Sequence, residues 1–308
     1  MKRILIIKHG SLGDIIFSTS VISDIKNHFI GNKIFLLTTS KYKEFFEESD
    51  LIDEILIDDR RGVFSNLFLI KKIINFKFKI IIDLQNSQRT SIYTFFIRLF
   101  SATKINGTSK FANYRYVNQL KDLPPVIVGL SEQIEVLGIK TARKPQLKWL
   151  NNRNFNFDSL GNQNYILINP GCSKKNIQKK WRAENFAKVC TYLISRNILP
   201  IVIGSALDRE SIEIISKNEP GILNLINKSQ LDVVFQLSQK AIGAISNDTG
   251  PAHLIAASGC LIHLVISSFT NTKTVIPQSS NVSYTQKHNI NDIFVEDIIK
   301  KIKIIFKL

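Results

Sequence analysis

Residues 3–16 read Arg3-Ile4-Leu5-Ile6-Ile7-Lys8-His9-Gly10-Ser11-Leu12-Gly13-Asp14-Ile15-Ile16. The apolar run Ile4–Ile7, mostly β-branched, predicts a strand buried on both faces. Gly10 and Gly13 permit a tight turn and a close backbone approach to a ligand. Apolar residues at 15, 16, 22, 25 and 29 then continue with helical spacing. Strand, glycine turn and helix in this order open a doubly wound α/β domain, and the helix start offers unpaired N–H groups to an anion. The segment is not a full GxGxxG and lacks the GK[ST] of a P-loop. Taken alone, a plain turn with Asp14 capping the helix accounts for it as well as a ligand site does.

Outward from this stretch the pattern repeats. Strands are expected at 33–37, 54–57 and 79–82, with helices near 63–75 and 90–100. Around Asn151–Asn164 the chain turns asparagine-rich and loses apolar periodicity, as a linker would. The alternation then restarts, with strands at 165–168, 200–203, 222–225, 241–246 and 261–265 and helices at 183–196 and 207–217. Repeated β-α units predict parallel sheets with right-handed crossovers. The expected fold class is therefore α/β, two Rossmann-like doubly wound domains, 1–155 and 156–308, facing across a cleft that receives ligands at the strands' carboxyl ends. The last amphipathic helix, about 291–306, is a candidate to pack back on the N-terminal domain.

The length of 308 residues suits two such cores. Three cysteines with no CxxC pair argue against a disulfide framework or zinc site and for a reducing, cytoplasmic setting. Four apolar residues before Lys8-His9 are too few for a signal peptide, and no run approaches a membrane span. The net charge is +16. The first 150 residues hold 23 bases and 14 acids, and the remainder 18 and 11, so the excess reads as spread along the chain. Such a field favours polyanionic partners, although a chain rich in Lys, Ile and Asn acquires one by composition alone.

Two further segments carry chemistry. Asn169-Pro170-Gly171-Cys172 ends the first strand of the second half and leads into Lys174, Lys175, Lys179, Lys180 and Trp181. A basic, flexible loop there suits a diphosphate; a solvated lysine loop is the plain alternative. Ser246-Asn247-Asp248-Thr249-Gly250-Pro251-Ala252-His253 ends another strand in a polar turn and starts a helix, with Pro251 in the first turn. Thr249 or Gly250 sits near the N-cap there, and His253, one turn in, reaches toward the same anion. A satisfied histidine beside a capping turn is the weaker reading, because small residues, a cap and a histidine converge at one strand end.

In this order and spacing, the three segments resemble the family 9 glycosyltransferases, whose best-known members are ADP-heptose:lipopolysaccharide heptosyltransferases. The strongest parts are Gly10–Ile15, Asn169-Pro170-Gly171 with Lys179-Lys180-Trp181, and Asn247–His253; Asp83-Leu84-Gln85 with Arg89 also resembles a family segment. The resemblance covers most of the chain. It implies a GT-B fold with an N-terminal acceptor domain and a C-terminal donor domain, inversion at the anomeric carbon, and no metal or other cofactor. It assigns Asp14 as general base, Gly13 to donor-phosphate binding, and Ser11, Asp83, Gln85 and Arg89 to the acceptor side. It places Lys179 at the donor phosphates and Asp248, Thr249, Gly250 and His253 in the donor-binding turn. An acidic residue holding the nucleotide ribose is Asp208 or Glu210. The resemblance favours ADP-heptose as donor and a lipopolysaccharide core, or another anionic glycolipid or glycan, as acceptor. After Val265 the chain has Ser267-Ser268-Phe269-Thr270 in place of the family's Gly-Pro-Thr, a departure that bears on the donor sugar.

The missing motifs agree. There is no Asp-x-Asp, HExxH or GxSxG, so leaving-group charge falls to lysine, histidine and helix N-termini. Arg60-Arg61, Lys71-Lys72, Lys77 and Lys79 interleave with Phe64, Leu67, Phe68, Phe76 and Phe78, and a second such stretch runs from Tyr93 to Tyr116. Both suit peripheral contact with the inner membrane or a phosphorylated lipid acceptor; aromatics in the core beside solvated charges are the alternative. Two other functions fit the same residues: a GT-B-like nucleotide-sugar epimerase, and a sugar-nucleotide-binding protein without chemistry. Nucleic acid is not an expected partner, since charge alone would support it.

Overall fold

The computed structural model describes the chain except Arg60, Arg61, Leu120, Lys121, Asn154 and Ser173, and the side chains of Val63, Ser159, Lys174, Lys175 and Asn176. The expectations placed on Arg60, Arg61 and the Lys174 and Lys175 side chains lie outside the described residues. The chain divides into two compact units, Met1–Trp149 and Leu150–Leu308.

In the first unit β1 (Arg3–Ile7), α1 (Leu12–His28), β2 (Lys33–Thr38), α2 (Lys43–Glu47), β3 (Glu54–Ile57), α3 (Gly62–Asn75), β4 (Ile80–Asp83), α4 (Gln88–Phe100), β5 (Lys104–Gly107), β6 (Tyr114–Arg115) and α5 (Val126–Glu135) follow one another. The sheet runs β3-β2-β1-β4-β5-β6, and every pairing is parallel. Ile4–Ile7 are fully buried, which is why an unbroken isoleucine-rich run rather than an alternating one forms this central strand.

The second unit comprises β7 (Tyr165–Asn169), α6 (Ala183–Ile194), β8 (Leu199–Gly204), α7 (Arg209–Asn218), β9 (Leu223–Ile226), α8 (Leu231–Lys240), β10 (Gly243–Asn247), α9 (Gly250–Ala257), β11 (Ile262–Ser267), β12 (Val282–Lys287) and α10 (Val295–Phe306). Its sheet runs β12-β11-β10-β7-β8-β9, again parallel throughout. Both units thus share the strand order 3-2-1-4-5-6, in which the order reverses beside the first strand. This is the GT-B architecture of two Rossmann-like units.

The boundary expected at 155/156 falls after Trp149 for a physical reason. Trp149 Nε1 donates to Phe45 O at 3.0 Å and the ring packs on Phe45 and Phe46, whereas Leu150 O accepts from Gln236 Nε2 at 2.8 Å. The last helix puts Val295, Ile298, Ile302 and Phe306 into the second unit's core. Phe306 lies so close on Gly243 that a Cβ there would sit 2.5 Å from its ring.

Candidate functional site

In open α/β sheets ligands bind beyond the strands' carboxyl ends where the strand order reverses. In the first unit that point lies between β1 and β4, whose last pair is Ile7 and Asp83. Ser11 is the N-cap of α1 and Asp14 its third residue, and the two form a capping box. Asp14 Oδ2 accepts from Ser11 N at 3.2 Å and Ser11 Oγ at 3.1 Å, which leaves Oδ1 without a hydrogen bond among the described residues. Gly13 is buried behind this turn. Gly10 is required by crowding, since a Cβ there would meet Asp14 Cβ at 2.9 Å and Lys8 Cε at 3.3 Å. Gln85 Oε1 accepts from both His9 N and Gly10 N at 2.9 Å and so fixes the loop.

Lys8 is the residue that sequence reasoning passed over. It ends an apolar run, its side chain is 5% exposed, and its Nζ donates to Leu84 O at 3.1 Å. Burial pulls its pKa down, while the carboxylates of Asp14 and Asp83 oppose that shift. Asp83, also buried, accepts from Gln85 N and Asn86 N at 3.0 and 3.1 Å. Burial drives its pKa up to about 6 against these hydrogen bonds and the charge of Lys8. Asp14 and Asp83 thus share one buried cation, with Ser11 bonded to Asp14 and Gln85 to the loop between them.

Arg89 belongs to a neighbouring network. Its Nη2 donates to Asn66 Oδ1 at 2.6 Å and lies 3.4 Å from Asp58 Oδ1. Tyr93 Oη donates to Asp58 Oδ2 at 2.9 Å, and burial with that carboxylate raises the phenol to about 12. His9 Nε2, 3.5 Å from Asp58 Oδ2, ties this network to the Gly10–Asp14 loop.

In the second unit the reversal lies between β7 and β10. Asn247 stitches two loops there: its Nδ2 donates to Pro170 O at 2.9 Å and its Oδ1 accepts from Trp181 N at 3.2 Å. Trp181 is fully buried and anchored by a bond from Nε1 to Ile293 O. It therefore holds Lys179 at a set place, with Nζ 2.8 Å from Asp248 Oδ2. Thr270 Oγ1 donates to the same oxygen at 2.8 Å, and His253 Nε2 lies 3.9 Å from Asp248 Oδ1. Thr249 is the N-cap of α9 and Gly250 its first residue; Asn169 Nδ2 donates to Thr249 Oγ1 at 2.8 Å. A lysine, a hydroxyl and an imidazole thus meet on the Asp248 carboxylate beside a helix N-terminus, and the turn suits a diphosphate once Lys179 swings its ammonium from Asp248 to the phosphates. Sequence reading saw Thr270 only within a departure from the family pattern, and the spacing gave no sign of its bond to Asp248.

The two acidic alternatives separate. Asp208 follows β8, caps Ser205 through Oδ2, and presents Oδ1 so close to Gly171 that a Cβ there would lie 2.9 Å from it. Glu210 is exposed in the first turn of α7.

Residues 67–292 match the sequence profile described as glycosyltransferase family 9 (heptosyltransferase). The match begins beyond the Asp14 loop. The lipopolysaccharide core heptosyltransferase OpsX of Haemophilus influenzae is 23% identical over 314 residues, covering 97% of this chain and 87% of that protein. A family 9 glycosyl transferase from Veillonella parvula superposes with a TM-score of 0.84 at 19% identity, over 99% of this chain and 97% of that one. E. coli heptosyltransferase WaaC with ADP superposes with a TM-score of 0.79 at 15% identity, over 98% and 99% of the two chains.

Proposed function

Because this chain belongs to glycosyltransferase family 9, we propose that it transfers heptose from ADP-heptose to an anionic lipopolysaccharide-core glycolipid, with inversion and without a metal. The acceptor hydroxyl attacks the anomeric carbon, forming the new C–O bond as the bond to the nucleoside diphosphate breaks. The hydroxyl proton passes to Asp14 Oδ1, and the departing diphosphate takes the bonding pair. Lys179, His253 and the N-terminus of α9 stabilise its charge. Asp208 holds the ribose, and Asp83, Gln85 and Arg89 shape the acceptor side.

The observation that carries this reading is the convergence of Lys179, Thr270 and His253 on Asp248 at the start of α9. It supplies fixed cationic and hydrogen-bonding groups where a metal-dependent enzyme would use a divalent ion. Family membership favours transfer over the epimerase and over a non-catalytic binder. The reaction is taken to occur in the cytoplasm.

The test is a donor panel of ADP-heptose, ADP-glucose and UDP-sugars, with heptose-free core glycolipid as acceptor. Nucleoside diphosphate release and the product's anomeric configuration are measured, with and without excess EDTA. We expect ADP-heptose to be used, the configuration to invert and turnover to survive chelation. Retention, or rescue of a chelated enzyme by Mg²⁺ or Mn²⁺, contradicts the mechanism. Turnover only with a UDP-sugar contradicts the donor.

A further inference from the structure

The charge of the first unit is segregated. Residues 1–59 carry 7 bases and 10 acids, whereas residues 60–121 carry 12 bases and the single acid Asp83, which is buried. The excess is therefore not even within this unit: it lies in residues 60–121. Two of these bases, Lys79 and Lys104, stand with Arg3 and Lys33 along one edge of the sheet, where Lys33 is paired with Glu54 at 3.4 Å. Arg3 opens β1 opposite Lys33, which opens β2. Lys79, just before β4, donates its N–H to Arg3 O at 2.9 Å, and Lys104 opens β5 opposite Ile80. Four bases thus stand side by side at the amino ends of four adjacent strands. β1 rises about 3.3 Å per residue, so this edge lies about 16 Å from Lys8 and the site at the carboxyl ends.

Helices in a parallel sheet run back toward the strands' amino ends, so the last turns of α3 and α4 reach this edge. There Lys71 and Lys72 are exposed and form no ion pair among the described residues. With Arg3, Phe68, Asn75 and Phe76 they line a cavity of about 450 Å³. Arg3 Nη1 donates to Phe76 O at 3.0 Å and the guanidinium lies over the Phe76 ring. Phe68 in the cavity's lining is 72% exposed, and Leu99 and Phe100, in the last turn of α4, are 62% and 66% exposed. Phe78 and Tyr93 of the same sequence stretches are core residues. The aromatic content is therefore divided between core and surface.

We propose that this amino edge of the first sheet docks on an anionic phospholipid bilayer. A lipid phosphate enters the pocket of Arg3, Lys71 and Lys72, while Phe68, Leu99 and Phe100 sink into the headgroup boundary. Cations beside exposed apolar side chains are what an interfacial surface needs. A nucleic acid would use the cations but gain nothing from exposed Leu99. The proposal is independent of the sugar-transfer reading and is tested without activity.

The full chain is sedimented with phosphatidylcholine vesicles, with and without phosphatidylglycerol, at low and high salt. Variants are Lys71→Gln/Lys72→Gln, Phe68→Ser, and Lys188→Gln on the second unit as control. Wild type should bind only the anionic vesicles and release them as salt rises. The double variant should lose about twenty-five-fold in partitioning, at about five-fold per charge near the surface. Phe68→Ser should also weaken binding, the control should not, and millimolar inorganic phosphate should not compete. Equal binding to neutral vesicles, or a folded double variant that binds as wild type does, overturns the proposal. So does an interaction displaced by an oligonucleotide and indifferent to Phe68→Ser, which would mark a general polyanion surface.

Discussion

The ammonium of Lys179 lies 2.8 Å from the carboxylate of Asp248, within a turn that Asn247 and Trp181 hold closed. The lysine proposed to meet the donor's phosphates is thus already oriented by a carboxylate that also receives Thr270. Orientation before binding lowers the cost of ordering a flexible side chain on the ligand.

Lys179→Ala should weaken binding of the nucleoside diphosphate by about ten-fold or more, since a charged hydrogen bond contributes roughly 1.5–3 kcal/mol. His253→Ala should weaken it by a similar amount. Asp248→Asn distinguishes two roles. If Asp248 only neutralised Lys179, affinity would rise; because three groups converge on it, we expect affinity to fall. Titration calorimetry reads each case, and unchanged affinity in both the Lys179 and His253 variants removes the donor site from this turn.

Asp14 serves the helix through Oδ2 and has Oδ1 open for a proton. Asn keeps an oxygen for the capping role but cannot act as a base. Asp14→Asn should therefore retain its melting temperature and donor affinity while turnover drops about a hundred-fold or more. A folded Asn variant with wild-type turnover would show that Asp14 is a cap and nothing further.

Asp208 and Glu210 are told apart by place. Asp208→Ala should cost about ten-fold or more in nucleotide affinity, and Glu210→Ala, on an exposed helix turn, almost nothing. Gly171→Ala, which crowds Asp208 Oδ1, should resemble Asp208→Ala. The reverse ranking in calorimetry transfers the ribose contact to Glu210.

The buried carboxyl of Asp83, raised to about 6, binds its proton more tightly folded than unfolded. Its contribution to stability is complete below its unfolded pKa of roughly 4 and is lost as pH climbs through about 6. Asp83→Asn removes that loss. Urea melts should show the variant gaining on wild type between about pH 4 and pH 6, by at most about 3 kcal/mol. A constant difference across that window would mean that Asp83 is ionised throughout.

Much of the architecture was legible because buried parallel strands announce themselves: Ile4–Ile7 and Tyr165–Ile168 are unbroken apolar runs bounded by polar turns. β12 was not, because its Val-Ser-Tyr-Thr-Gln-Lys is an edge strand with several exposed side chains. β5, Lys-Ile-Asn-Gly, buries an asparagine that bonds Tyr114 O and Gln133 O and has little apolar signal. At the site, Lys179, Asp248 and His253 could be picked out from their segments, but their meeting point depends on backbone geometry. Choosing between Asp208 and Glu210 required knowing where the chain turns after β8. Lys8 was hidden because a lysine closing a strand reads as surface. The basic edge was not legible because Arg3, Lys33, Lys79 and Lys104 are far apart in sequence and meet only through strand pairing.

The burial of Phe306 against Gly243 bears on how the molecule is made. Synthesis proceeds from the amino terminus, and domains generally fold as units as they emerge. The first unit has all its residues once Trp149 is out. The second cannot close its core until α10 has been delivered, because β10 and α6 wait for residues translated more than a hundred positions after α6. Until then the isoleucine-rich sheet of the second unit lacks the helix that covers it. Translation halted before α10 should therefore leave the second unit's core incomplete and prone to aggregate.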